Sequence, residues 1–166
     1  MKKLVYSVGL FTVLLWTTGC YSFQGISIQP ETKTFFVAQF DNNARTVVPT
    51  LSQDFTENLK RKLLDETRLV FNNINPDIEF IGEISQYRIT SEAPTADETS
   101  AISRLTIQVS VEYVNNKKEE DKWKQNFSFF QDYPSDQNIL DIQDQLIETI
   151  SDQLVEDIFQ KAFTNW

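Results

Sequence analysis

Histidine is absent from this sequence of 166 residues, and its absence narrows the possible chemistry. Histidine is the commonest general base and metal ligand, so its absence argues against most hydrolases and zinc sites. Glycine is also scarce, with four in the chain. Only Gly25 and Gly82 lie beyond the first twenty residues, which excludes glycine-rich phosphate loops and the G-x-S-x-G elbow. A carboxylate-only calcium or magnesium site is the one metal chemistry left open.

Cysteine occurs once, at Cys20, and its surroundings indicate a lipid anchor. Two lysines precede an apolar run over Leu4–Trp16, which is shorter than the roughly 20 residues that a membrane span needs. Thr-Thr-Gly then leads into Cys20 as in a bacterial lipobox, although an aliphatic residue is commoner than Thr17. We expect a signal peptide over residues 1–19, diacylglycerol on the Cys20 thiol and an acyl chain on its new amine. The alternative is an ordinary secreted protein with a free thiol.

Basic residues are fewer than acidic ones, with 15 Lys and Arg against 24 Asp and Glu, so the net charge is −9. Loss of the two signal-peptide lysines would bring the mature charge to about −11. Nucleic acid is therefore not an expected partner, because phosphate binding requires clustered Lys and Arg. Any anionic ligand would have to meet a local basic patch. The mature chain would keep 147 residues (166 minus 19), enough for one domain without disulfides.

Hydrophobic periodicity predicts two helices and four strands. Thr50 and Gln53 form a potential capping box before an apolar stripe at four-residue spacing over residues 51–63. Ser135 or Asp136 can cap a second helix, which carries a broad apolar stripe. The strands are predicted at Lys33–Phe40, Ile78–Ile89, Arg104–Val114 and Lys122–Tyr133.

The second predicted strand contains a change of phase. Its apolar residues change sides between Ile84 and Tyr87, which predicts a β-bulge, and Gly82 marks a close approach of another group. Residues 91–100 contain Pro94 and three acids, so we expect an exposed loop there.

The order strand, helix, three strands, helix predicts an α+β fold. It would be a four-stranded, mostly antiparallel sheet with two helices packed on one face. Residues 20–32 are interpreted as anchor and tether, and residues 33–166 as the folded domain. The other sheet face carries Thr, Ser, Gln and Arg with a few aromatic residues, so it is either solvated or in contact with something amphiphilic.

Five stretches carry a family resemblance, and they follow one another along essentially the whole mature chain. They are Cys20–Phe23, Glu79–Tyr87, Arg104–Val111, Asn126–Phe130 and Asp157–Trp166. Together they resemble the LptE family, the lipopolysaccharide-assembly lipoproteins of the Gram-negative outer membrane. No single stretch is strong, but their order and spacing are specific.

The resemblance implies a non-enzymatic protein that plugs the lumen of the β-barrel LptD and supports its assembly, so that lipopolysaccharide reaches the outer leaflet. It implies a lipid-anchored protein on the periplasmic side of the outer membrane. Tyr21 agrees with this location, because it replaces the aspartate after Cys20 that marks inner-membrane retention. No cofactor is expected beyond the covalent lipid on Cys20, and no metal site.

The resemblance also implies contact with lipopolysaccharide through basic residues. The candidates are Arg88, Arg104, Lys122 and Lys124. Guanidinium groups suit bidentate contact with lipid A phosphates. The competing interpretation is that these residues form cross-strand ion pairs or lie on solvated edges.

A second class of function stays open at this point. The chain could be a periplasmic lipid- or protein-binding lipoprotein of another envelope machine, since such proteins share the anchor, the tether and the α+β layer. A stable complex with a β-barrel would separate the two. An envelope enzyme is a third class, which a carboxylate pair with strongly perturbed pKa values would support.

Overall fold

The computed structural model describes residues 27–46, 48–92 and 101–164. These residues form six strands and two helices. The strands are β1 (Thr34–Val37), β2 (Asp41–Asn42), β3 (Val70–Phe71), β4 (Ile78–Glu92), β5 (Ile102–Asn115) and β6 (Trp123–Pro134), and the helices are α1 (Leu51–Glu66) and α2 (Ile139–Phe163). The predicted signal peptide, Cys20 and most of the predicted loop over 91–100 lie outside the described residues. Within them, no helix is both long enough and apolar enough to cross a membrane.

The sheet is mixed, and its strand order is β3-β1-β4-β5-β6. The short strand β2 follows β1 in the chain and pairs with a later part of β4. β1 runs parallel to β3 and β4, and β2 runs parallel to β4, whereas β4, β5 and β6 form an antiparallel meander. The α+β class with two helices is confirmed. The predicted four strands and the order β-α-β-β-β-α are corrected by the two additional strands and by the parallel pairs.

The predicted first strand is divided because the chain turns toward α1 after Val37. The backbone N–H of Phe40 donates to Oγ1 of Thr56 at 3.0 Å, and the Phe40 ring packs on that of Phe55 with centroids 5.0 Å apart. These contacts draw the chain out of the sheet before it returns as β2. A strand of two residues has no alternation to detect, so neither β2 nor β3 is visible in the sequence pattern.

The core lies between the sheet and the two helices. The odd-numbered residues of β5 from Leu105 to Tyr113 are buried, as their alternation predicted. On the same face, the Tyr87 hydroxyl donates to Gln143 of α2 at 3.3 Å, and the Phe80 ring lies 6.3 Å from that of Phe163. Contacts of Phe40 with α1 place the first helix on this side as well.

The predicted bulge and close approach in β4 are both present. The register with β5 shifts between Ile84 and Gln86, which leaves Ser85 as the extra residue. A Cβ on Gly82 would lie 2.5 Å from both the Phe40 ring and the carbonyl oxygen of Ser110. Glycine is therefore required here because there is no space for a side chain, and its φ is not positive.

Both predicted helix caps are corrected. Thr50 has helical dihedrals (φ −86°, ψ −20°), and its side chain makes no capping hydrogen bond. A capping side chain needs an extended backbone to reach the next amides, and Thr50 lacks it. For α2 the cap is Asn138, whose extended backbone lets its side chain accept from the N–H of Leu140 at 3.2 Å, rather than Ser135 or Asp136.

Candidate functional site

The sheet face opposite the helices, which we call the open face, carries two of the predicted basic residues in adjacent rows. Arg88 lies in a cross-strand row with Thr106 and Phe130, and Arg104 lies in the next row between Thr90 and Asp132. The lysine at 124 belongs to a more distant row, opposite Glu112. The sheet register alone therefore separates the predicted site residues into groups.

Arg104 is engaged within the protein. Its guanidinium makes a bidentate pair with Asp132, with Nε–Oδ1 2.7 Å and Nη2–Oδ2 2.9 Å, and it lies 3.8 Å above the centre of the Phe130 ring. The hydrogen bond to Asp132 raises the pKa of Arg104, and the same bond lowers the pKa of the Asp132 carboxyl. Arg104 thus forms the cross-strand ion pair that the sequence left as the alternative role.

Arg88, in contrast, is exposed and forms no ion pair with any residue that the structure describes. It lines a groove of about 750 Å³ together with Arg45 and Thr46, from the segment between β2 and α1. Ser85 and Gln108 complete the polar wall. No pattern in the sequence points to Arg45, because the loop that brings it to β4 follows the undetected strand β2.

Lys124 lies at the far end of the open face. Its groove of about 220 Å³ is lined by the acids Asp41, Glu83 and Glu112. Phe130, in the row of Arg88, lies six positions further along β6, which is about 20 Å along a strand. The acidic surroundings make this position a poor phosphate site.

Lys122 lines a different cavity, which we call the N-terminal cavity because Ser27 forms part of its wall. Its volume is about 380 Å³, and it lies between the start of β6, the end of α2 and the first described residues. The rings of Tyr113 and Trp123 stack in its wall, with centroids 5.5 Å apart and an interplanar angle of 13°. Lys118 and Lys161 are its further basic residues, and Glu120 and Asp121 are its two acids, so cations outnumber acids here, unlike in the groove of Lys124.

The N-terminal cavity is held together by hydrogen bonds to the first described residues. The N–H of Ser27 donates to the carbonyl of Phe163 at 2.8 Å, and Gln29 donates to Asp121 at 3.2 Å. These bonds fix the segment before β1 against both the end of α2 and the turn before β6. The described part of the predicted tether is thus in contact with the domain.

The lysines of this cavity differ in their availability. Lys118 pairs with Asp121 at 3.3 Å, and this hydrogen bond raises its pKa. Lys122 and Lys161 form no ion pair among the described residues. Burial, followed by the charge of Asp121, raises the pKa of Tyr113 to about 12, so its ring remains neutral. The cavity therefore offers two available cations beside a flat aromatic surface.

The four predicted basic residues do not form one site. Arg88 belongs to the groove beside β4, Arg104 is paired, Lys124 lies among acids, and Lys122 belongs to the N-terminal cavity. Lys161, which sequence reasoning missed, joins Lys122 only because the end of α2 packs beside β6. Within the described residues, no cluster of three or more His, Cys, Asp or Glu is placed to hold a metal ion.

A mixed sheet with two helices on one face defines a small α+β domain. The chain belongs to the LptE family, because the sequence model of that family, described as lipopolysaccharide-assembly, matches residues 32–162. The resemblance noted in the sequence is thereby confirmed, and it places the chain in a non-enzymatic lipoprotein family.

Several solved structures share the fold at low sequence identity. They include the hypothetical protein CT253 from Chlamydia trachomatis (TM-score 0.54, 9% identity, covering 81% of this chain and 99% of that one). A second is a minor lipoprotein from Acinetobacter baumannii (TM-score 0.52, 12% identity, covering 78% of this chain and 92% of that one). A third is the PelC dodecamer from Paraburkholderia phytofirmans (TM-score 0.52, 10% identity, covering 84% of this chain and 95% of that one). At such identities the likeness concerns the fold. No curated protein matches the chain in sequence.

Proposed function

We propose that this LptE-family protein is the plug and assembly partner of an LptD-type β-barrel in the transport of lipopolysaccharide to the outer leaflet. The observation that carries the proposal is the family match over residues 32–162, which spans all six strands and nearly the whole of both helices. The absence of histidine argues in the same direction, because it removes the commonest catalytic base.

The proposal includes a lipid anchor in the outer membrane. Residues 1–19 would be removed as a signal peptide, and Cys20 would carry diacylglycerol and an N-acyl chain, which together anchor a protein stably. Residues 20–32 would connect this anchor to the domain over 33–166. Ser27 lies seven residues after Cys20, so the chain between them spans at most about 25 Å.

Lipopolysaccharide contact is proposed at the N-terminal cavity rather than on the open face. Lys122 and Lys161 supply cations for a phosphate, and the stacked rings of Tyr113 and Trp123 supply a flat surface for a sugar. The short connection to Cys20 favours this cavity further, since it would be held near the membrane in which lipopolysaccharide travels.

The test is extraction of the affinity-tagged, lipidated protein from outer membranes in mild detergent, with co-purifying proteins identified by mass spectrometry. We expect a stoichiometric β-barrel of the LptD type. The matched control for the anchor is the chain over residues 21–166 placed behind an ordinary cleavable signal peptide, and it should be found in the soluble periplasmic fraction. If the lipidated protein were purified without any barrel, the plug role would be refuted in favour of a lipid- or protein-binding lipoprotein of another envelope machine.

A further inference from the structure

The second half of β4 has a strand partner on one side only. β1 pairs with β4 from Ile78 to Phe80, and β2 pairs with it at Glu83 and Ile84. Among the residues that the structure describes, Ser85–Glu92 pairs with β5 alone. We call this stretch the free edge of β4. An unpaired strand edge presents backbone N–H and C=O groups to which another strand can bond.

The sheet register identifies which backbone groups point outward along this edge. The carbonyl of Ile84 accepts from the N–H of Asn43, so the backbone groups of Ile84 point away from β5. Ile84 pairs with Val109, and successive pairs of the same kind occur every two residues on β5. Those pairs involve Tyr87, Ile89 and Ser91, whose N–H and C=O groups therefore also point outward.

The groove beside this edge is suited to a chain with negative charge. Arg45 and Thr46 form its far wall, and Arg88 projects from β4 on the open face. Neither arginine forms an ion pair among the described residues, in a chain whose net charge is −9. Ile89, on the opposite face of the strand, is 43% exposed. The two faces thus offer a cationic neighbour and an apolar neighbour to one additional strand.

We infer that the free edge of β4 is a docking site for an extended segment of another protein, which adds to the sheet as a further strand. Its acidic side chains lie beside Arg88 and Arg45, and its apolar side chains lie beside Ile89. The backbone hydrogen bonds to Tyr87, Ile89 and Ser91 supply affinity, and the alternation of side chains supplies specificity. The inference is independent of lipopolysaccharide contact at the N-terminal cavity.

The test uses a synthetic seven-residue peptide of alternating valine and glutamate, with a valine–lysine peptide as its control. The lipidated, isotope-labelled protein in detergent is titrated with each peptide, while backbone amide shifts are recorded by NMR and affinity by anisotropy of a labelled peptide. We expect the valine–glutamate peptide to shift the amides of Tyr87, Ile89 and Ser91 and to bind more tightly than the lysine peptide.

Two substitutions separate strand addition from simple charge attraction. Ile89→Pro removes an outward N–H but leaves the β4–β5 hydrogen bonds, so the fold should survive and peptide affinity should fall about ten-fold. Arg88→Glu should reverse the preference in favour of the lysine peptide. Ser128→Pro removes the corresponding outward N–H at the β6 edge, and Lys124→Glu makes the same charge change elsewhere on the open face. Neither control should affect binding.

Several results would overturn the inference. In one, the parent protein binds no valine–glutamate peptide, and in another, Ile89→Pro binds it as tightly as the parent does. In a third, the peptide shifts only the amides of Ser128 and its neighbours on β6. Self-association abolished by Ile89→Pro would make a second copy of this chain the occupant instead. Shifts of the same amides by lipopolysaccharide, without any by peptide, would make the groove a headgroup site. Circular dichroism of each variant confirms that loss of binding is not loss of folding.

Discussion

The carboxylate of Asp77 accepts the backbone N–H of Lys33 at 2.8 Å, and so it joins the start of β4 to the start of β1. The same oxygen accepts the N–H of Thr34 at 3.0 Å, while the other oxygen pairs with Lys117 at 3.0 Å. Burial alone would raise the pKa of Asp77, but these donors lower it to about 2 from 3.8. One buried side chain therefore connects the parallel and antiparallel parts of the sheet.

Asp77→Asn should destabilise the domain by roughly 2 kcal/mol at neutral pH, because an amide cannot accept from all three donors. The pKa of Asp77 is lowered on folding, so its contribution is complete above pH 3.8 and is lost as the pH falls toward about 2. Urea unfolding of parent and variant across this range measures the effect. Asp65→Asn, at an exposed position of α1, is the control. A difference in stability that did not shrink at low pH would contradict the assignment.

Gly82→Ala should destabilise the protein by about 1–3 kcal/mol or more, because the new Cβ would meet a ring and a backbone carbonyl at 2.5 Å. Gly82→Ala should cost less in a Phe40→Leu background than in the parent, since that background removes the ring but leaves the carbonyl of Ser110. Denaturant unfolding measures both variants, with Ser91→Ala on the same strand as control. Full stability of Gly82→Ala alone would show that the sheet can relax here.

Lys62 connects the two helices, and its removal should weaken their packing modestly. Its ammonium lies 2.5 Å from the Glu156 carboxylate of α2. Burial alone would lower the pKa of Lys62, but Glu156 and Glu66 raise it, and Lys62 in turn lowers the pKa of Glu156. The pair therefore stabilises most between the ordinary pKa values of 4.5 and 10.5, and less beyond either limit.

A double-mutant cycle with Lys62→Met and Glu156→Gln measures this connection. We expect a coupling of about 0.5–1 kcal/mol at pH 7, reduced by added salt because the pair is only partly buried. A coupling near zero at low salt would mean that this ion pair does not stabilise the packing of α1 on α2, which would then depend on apolar contacts and on the hydrogen bond from Asn58 to Asp152.

Lys122→Ala and Lys161→Ala should each weaken lipopolysaccharide binding by the lipidated protein about ten-fold, because each removes a charge-assisted contact with phosphate. Lys124→Ala, at an acidic groove, and Arg104→Ala, whose guanidinium is already paired, should have little effect on binding. Titration with purified lipopolysaccharide provides the measurement, followed by tryptophan fluorescence in a Trp166→Phe background so that Trp123 is the fluorophore. Strong losses in the two controls, with none at Lys122, would transfer the contact to the open face.

The parts of the fold that sequence could predict are those with a repeating signal. One is the alternation of β5 from Leu105 to Tyr113, and the other is the phase change around Ser85 in β4. Each extends over several residues, so the hydrophobic pattern alone predicts it. β2 and β3 contain two residues each and have no period. The parallel pairing of β1 with β4 and the Asp77 hydrogen bonds beside it both join residues far apart in sequence.

The candidate sites were less predictable than the fold for the same reason. The sequence identified Arg88, Arg104 and Lys122 as basic residues, but it could not show that Arg104 forms an ion pair with Asp132. It also could not place Arg45 beside Arg88, or Lys161 beside Lys122, since each pair depends on tertiary packing. The family to which the chain belongs was recognisable, because the order of several weak stretches adds up to a specific pattern.

The parallel pairing of β1 with β4 has a consequence for the order in which the chain folds. Phe35 can meet Ile78 only after α1 and β3 have been made, whereas β4, β5 and β6 meet through contacts between neighbouring strands. Contacts that close long loops form slowly, so the C-terminal meander can assemble before the N-terminal strands find their places. The described residues before β1, which bond to the end of α2 at Ser27 and to the turn before β6 at Gln29, therefore dock only after the meander and α2 have formed.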